Sequence, residues 1–202
     1  MKTLCFFLIS ILASPAAAEK VTMVSPVFSQ IVVTPLPAGF QPFNEKTEAG
    51  RYILEAMHQT ETLENWTQML TLTSAQGMGG TQGAAVGMAN TLAENYRAVC
   101  PDHLIAEPIE APAIPGAVEV FGAFLGCTTI PGSQPEAMVV LAMAGGSDLY
   151  TLQWAVRSDA SDAPLTYDLA EWTPRLAHLA AGTRLCAIVP GEAPPYPSCT
   201  GN

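Results

Sequence analysis

Three stretches early in the chain alternate apolar and polar residues with the period of two that marks a strand. Val27 to Thr34 (VFSQIVVT) reads as the first, stopped by Pro35 and Pro37 and turned at Gly39. Arg51 to His58 reads as the second, with Tyr52, Leu54 and Ala56 on one face. Trp66 to Ser74 reads as the third: Trp66, Leu70 and Leu72 share one face, Gln68 is the exception, and Thr67, Thr71 and Thr73 hold the other. That alternation predicts a sheet with one face buried and one partly wet. The period then changes. After a glycine-rich run, Ala85, Met88, Ala89, Leu92, Tyr96 and Val99 recur at helical spacing. This predicts a helix over about residues 82–98, with Thr81 as its candidate N-cap and Pro101 preventing continuation.

Leu104 to Ile109 reads as a short strand, followed by the proline-rich connector Pro112–Gly116. Ala117 to Thr128, Ala137 to Ala144 and Leu149 to Arg157 read as three strands. The connections Gly132-Ser133-Gln134-Pro135 and Gly145-Gly146-Ser147-Asp148 are short enough only for antiparallel neighbours, so the unit is a meander. Leu169 to Ala181 reads as a last helix with Leu169, Trp172, Leu176 and Leu179 as its apolar stripe. Asp168 and Glu171 resemble a capping box at its start, and Pro174 falls inside it or opens a shorter helix capped by Thr173. The expected fold is α+β: an antiparallel sheet of about six to seven strands with two main helices packed on it, in an α/β/α sandwich-like arrangement.

The first eighteen residues follow a different pattern. Met1-Lys2 is a short positive start, Leu4 to Leu12 is apolar but for Ser10, and Ala16-Ala17-Ala18 follows Pro15. Residues 1–18 are therefore expected to be a secretory signal cut before Glu19, leaving one globular domain over residues 19–202 in the periplasm or outside the cell. No cysteine stands at the cleavage site, and no later stretch is long and apolar enough to span a bilayer, so a soluble product without membrane insertion is expected. Cleavage leaves seven basic residues against 18 acidic ones. A chain this acidic lacks the clustered Lys and Arg that nucleic acid requires.

Cleavage also removes Cys5 and leaves Cys100, Cys127, Cys186 and Cys199, an even set in an oxidising compartment. Four cysteines allow three pairings. We favour Cys100–Cys127, which pins a helix end to a strand end, and Cys186–Cys199, which clasps a proline-rich tail. With no C-x-x-C, and no cysteine at ligand spacing from a histidine, structural bridges are the expected role.

Candidate chemistry is sparse. Gly77, Gly79, Gly80, Thr81 and Gly83 form a glycine-rich loop between a strand and a helix, the setting of a dinucleotide-binding turn, with Glu107 and Glu110 downstream. The spacing is G-x-G-x-x-x-G, the strands are joined as antiparallel hairpins and the chain reads as exported, so a surface loop that contacts a ligand or partner is the better reading. His58, His103 and His178 lie apart in sequence, no G-x-S-x-G elbow exists, and Ser147 reads as a hairpin turn. Glu61 and Glu64 lie in a polar connector, Asp159 and Asp162 in a solvated loop, and no metal motif or cofactor is expected.

Three features resemble the PsbP/Mog1-like domains, to which the periplasmic DcrB-like proteins belong. These are the entry Leu36-Pro37-Ala38-Gly39-Phe40, the strand start Glu64-Asn65-Trp66-Thr67-Gln68 and the closing helix. The resemblance covers most of the chain beyond the signal, although the cysteines are not a mark of that family. It implies an α/β/α sandwich serving as a non-catalytic accessory or binding module, and it transfers no functional residue. An unknown envelope protein or a small ligand is the expected partner. The alternatives are an envelope hydrolase with a site drawn from distant residues, and a structural or secretion-system component.

Overall fold

The computed structural model describes residues 21–127, 134–157 and 167–201. The signal segment, the cleavage position, most of the turn at Gly132-Ser133 and the Asp159–Asp162 loop lie outside them. The chain opens with a hairpin of β1 (Thr22–Val27) and β2 (Gln30–Pro35), in register from Thr22 opposite Pro35 to Val27 opposite Gln30. The sequence pattern runs through this turn as one strand. The chain instead reverses at Phe28-Ser29, with Phe28 held at a φ of 55°. A distant side chain drives the break: Asp148 takes both the N–H and the hydroxyl of Ser29.

Next come β3 (Phe40–Glu48), β4 (Arg51–His58) and β5 (Gln68–Ala75), then α1 (Ala84–Val99). β3 leaves no alternating signal because nearly all of it is exposed at a sheet edge. It is placed by the two-residue turn Ala49-Gly50, where both φ angles are positive, as tight hairpins require. β6 (Leu104–Ile109), β7 (Glu119–Cys127), β8 (Glu136–Ala144) and β9 (Leu149–Arg157) follow, then α2 (Leu169–Ala180), β10 (Arg184–Ala187) and the one-turn α3 (Pro197–Thr200).

Seven strands form an antiparallel sheet in the order β3-β4-β5-β9-β8-β7-β6, and β1-β2-β10 form a second, three-stranded sheet. The large sheet with two main helices is the α+β architecture that the periodicity predicts; the small sheet is additional. The β7-β8-β9 meander is present, and Leu72 opposite Leu152 joins it to the N-terminal strands. On one face Leu54, Leu70, Leu72, Val139 and Leu141 pack against Val27 and Val32 of the small sheet and Trp172, Leu176 and Leu179 of α2. On the other face Ala123, Leu125, Met138 and Val140 pack under Ala89, Leu92 and Tyr96 of α1. Trp66 belongs to this second cluster, not with Leu70 and Leu72, because the strand begins only at Gln68.

The ends of the helices are secured in different ways. Asp168 caps α2 by accepting the Ala170 N–H at 2.8 Å, and Pro174 lies within that helix. Thr81 is not the cap of α1; Gly83, at a φ of 81°, takes that position without a side-chain cap. Cys100–Cys127 joins the end of α1 to the end of β7, with Cα atoms 5.9 Å apart. Cys186–Cys199 joins β10 to α3 at 5.7 Å. None of the helices described is long and apolar enough to cross a membrane.

Candidate functional site

α1 packs on β6, β7 and β8 and leaves the middle of β4, β5 and β9 uncovered on the same face, between Met57, Met69 and Ala155, buried with Trp66 at one end, and Ala75 and Leu149, buried with Ala84 and Met88 at the other. Ile53, Thr71, Thr73 and Gln153 stand there half-buried. The step between the helix and this open half of the sheet is a groove of about 640 Å³. Ile53 and Thr73 form its floor. Gly87, Met88, Thr91 and Leu92 of α1 form its wall, and Met78, Thr81, Gln82 and Gly83 close one end. Its size falls within the range of small-molecule sites.

The glycine-rich loop owes its shape to the β8–β9 turn beneath it. The Gly77 N–H donates to Asp148 Oδ1 at 2.7 Å, and the Gly79 N–H to the Ser147 carbonyl at 2.8 Å. A Cβ on Gly79 would stand 2.0 Å from the Asp148 carbonyl oxygen, so only glycine allows this approach. The glycine at this position therefore meets protein backbone, where a dinucleotide turn would present its glycine to a phosphate.

Asp148 is the hub. Only 2% of it is exposed. Burial pulls its carboxyl upward, but hydrogen bonds from the Ser29 hydroxyl and the Gly77 and Ser29 N–H groups outweigh that and hold it below the usual carboxylate range. Beside it, burial pushes the Tyr150 hydroxyl up to about 12 while that group donates to the Val27 carbonyl at 3.1 Å. One carboxylate thus ties the β1–β2 turn, the glycine loop and the β8–β9 turn together. Sequence reading treats Asp148 as a turn residue; its only signal there was an acid closing an otherwise small-residue turn.

Gly80, Thr81, Gln82 and Gly83 form a ridge. Beyond it lies a second concavity of about 670 Å³, bordered by Val118, Glu119 and Gly146. Glu119 Oε2 accepts the Gly83 N–H at 2.9 Å on that side. Val118 at 73% exposed and Met78 at 46% add apolar surface near the ridge.

The far end of α1 is locked to the sheet. The Tyr96 hydroxyl donates to Glu136 Oε1 at 2.5 Å, the Arg157 guanidinium lies 3.6 Å from the Trp66 ring centre, and Arg157 Nε is 3.5 Å from Glu136 Oε2. Burial, then the Glu136 charge, raises the Tyr96 hydroxyl well above its ordinary range.

The histidines stay apart. His58 Nδ1 bonds the Thr60 hydroxyl at 2.7 Å, His178 packs edge-on to Trp154, and His103 is exposed in the turn before β6. Glu61 accepts from the Thr67 hydroxyl at 2.5 Å, and Glu64 from the Thr62 hydroxyl at 2.7 Å. Among the described residues no group of three or more His, Cys, Asp or Glu is placed to hold a metal ion.

No family model matches the chain, and no curated protein does. Among solved structures it is similar to the solution structure of cyanobacterial PsbP (CyanoP) from Synechocystis sp. PCC 6803. That likeness has a TM-score of 0.52 and covers 87% of this chain and 98% of that one at 11% identity. The fold resembles that of PsbP. At 11% identity the PsbP-like likeness concerns the path of the backbone and carries no residue across. A crystal structure from Bacteroides thetaiotaomicron VPI-5482 is similar at a TM-score of 0.46 and 12% identity, over 87% of this chain and 51% of that one.

Proposed function

We propose that this chain is an exported accessory protein of the cell envelope that binds a small ligand or partner in the α1 groove and performs no chemistry. In this reading residues 1–18 direct export, residues 19–202 fold as one domain, and the two disulfides suit an oxidising compartment. The observation that carries it is the groove itself: an open half-sheet beside a helix, closed at one end by a glycine loop pinned to Asp148. A PsbP-like fold is compatible with accessory roles, since a fold hosts functions through its sites.

The test compares wild type with a groove-filled variant, Gly87→Leu, as bait in envelope extract under non-reducing conditions. A molecule retained by wild type and lost by the variant is the expected result. Turnover on a broad panel of hydrolase substrates, abolished by His103→Ala or Ser147→Ala, would overturn the reading. Fractionation and N-terminal sequencing of the mature protein test the export step.

A further inference from the structure

Resting on that reading, we propose that the groove takes an amphipathic monoanion: a carboxylate on an unbranched aliphatic chain. The acid would sit beside Arg51 and the chain would lie along Ile53, Met88 and Leu92.

The protein carries 18 acidic residues against eight basic ones, yet among the described residues no acidic side chain lines the groove and Arg51 is its one charged lining residue. The acids nearest in register are engaged elsewhere. Glu48, opposite Arg51, pairs with Lys46 at 2.6 Å, and Glu55, next along the same face as Ile53, accepts from Asn44 at 2.7 Å. Within the lining itself the one formal charge is thus positive, on a molecule that is acidic as a whole.

Arg51 lies opposite Ala75, just before the loop that leads to α1, so the guanidinium and the start of the helix share one end. The helix has no side-chain cap hydrogen bond and no acid in its own first turn, so the positive charge at this end of the groove is that of Arg51. Glu119 takes the Gly83 N–H from the far side of the ridge, outside the groove lining. From there Ile53, Met88 and Leu92 form an aliphatic track bordered by Thr73, Thr91 and Asn95. The helix residues from Ala84 to Asn95 span about 16 Å at 1.5 Å per residue, the length of an extended chain of about 10–12 carbons.

Gly87 supplies the depth. It lies inside α1, where glycine is costly, and a Cβ there would meet nothing within 4 Å. Packing does not require the glycine; a side chain at that point would project into the groove.

The experiment titrates the full mature protein with decanoate, 1-decanol and decylamine, following backbone amide shifts by NMR. Saturable shifts at Thr73, Gly87, Met88 and Thr91 are expected with decanoate, weaker ones with decanol and none with decylamine. Arg51→Gln should weaken decanoate roughly tenfold and leave decanol unchanged. Octanoate should bind roughly tenfold more weakly than decanoate, from two lost methylenes. Gly87→Leu, with its folding checked by thermal melting, should abolish binding. Equal binding of all three probes would overturn the anion assignment while leaving the groove a ligand site. Shifts confined to other faces, or no binding by any probe, would overturn the proposal outright, and retention of a different molecule in the extract experiment would still uphold the broader function.

Discussion

The Gly77 N–H donates to Asp148 Oδ1 across 71 residues of sequence at 2.7 Å, and through this bond the glycine loop takes its shape from the β8–β9 hairpin. Replacing Asp148 with alanine leaves the Ser29 and Gly77 donors without their acceptor. The expected cost is about 2–4 kcal/mol, the range for removing one partner from a buried, charge-assisted set. Urea unfolding of the oxidised protein measures it, and a loss below about 0.5 kcal/mol would contradict the hub.

The same carboxylate makes a pH prediction. Its folded pKa lies below the ordinary value of 3.8, so its stabilisation is fully present above that value and is lost as the pH falls through the folded one. The stability difference between wild type and Asp148→Ala should therefore be constant near neutrality and shrink in acid. Paired melts over a pH series read it directly.

Glycines in and beside the loop should separate by what a Cβ would meet. Gly79→Ala drives a methyl into the Asp148 carbonyl and should cost about 1–3 kcal/mol. Gly80→Ala, whose nearest neighbour is 3.7 Å away, should change stability by less than about 0.5 kcal/mol. Gly87→Ala should stabilise by about 0.5–1 kcal/mol, because it improves a helix interior without a clash. A common response to all three would show that the loop does not depend on the close approach of Gly79 to the β8–β9 turn.

Reduction should act on both ends of the molecule. Loops closed over 27 and 13 positions contribute about 3–4 kcal/mol each in the chain-entropy picture. The reduced protein should melt at least about 10 °C lower, and the oxidised, unfolded protein should show no free thiol at the four bridging cysteines. A melting temperature indifferent to reductant would count against both bridges as staples.

Much of the architecture was legible because buried strands announce themselves. Val139, Leu141 and Leu152 sit in runs that leave little choice of element, and the short turn between β8 and β9 forces antiparallel pairing. Where burial is slight the signal fades: β3 is exposed along almost its whole length, and only the positive φ angles at Ala49 and Gly50 reveal its hairpin. The β1–β2 turn is hidden for a different reason, since it depends on Asp148, 119 residues away from Ser29. The groove combines both cases. Its glycine loop and threonine-bearing strand face were readable, but their meeting depends on where α1 lies across the sheet, which no local pattern encodes.

The uncovered half of the sheet can be expressed as a mismatch of widths. Strands repeat about every 4.8 Å and a helix with its side chains is about 10 Å across, so one helix roofs two or three strands. On this face, among the described residues, seven strands carry a single helix, placed toward the β6 edge. The recess beside it arises from too few covering elements and needs no excavation of the core. Its dimensions can therefore be altered from the helix side, one residue at a time, while the strands that hold the molecule together keep their register.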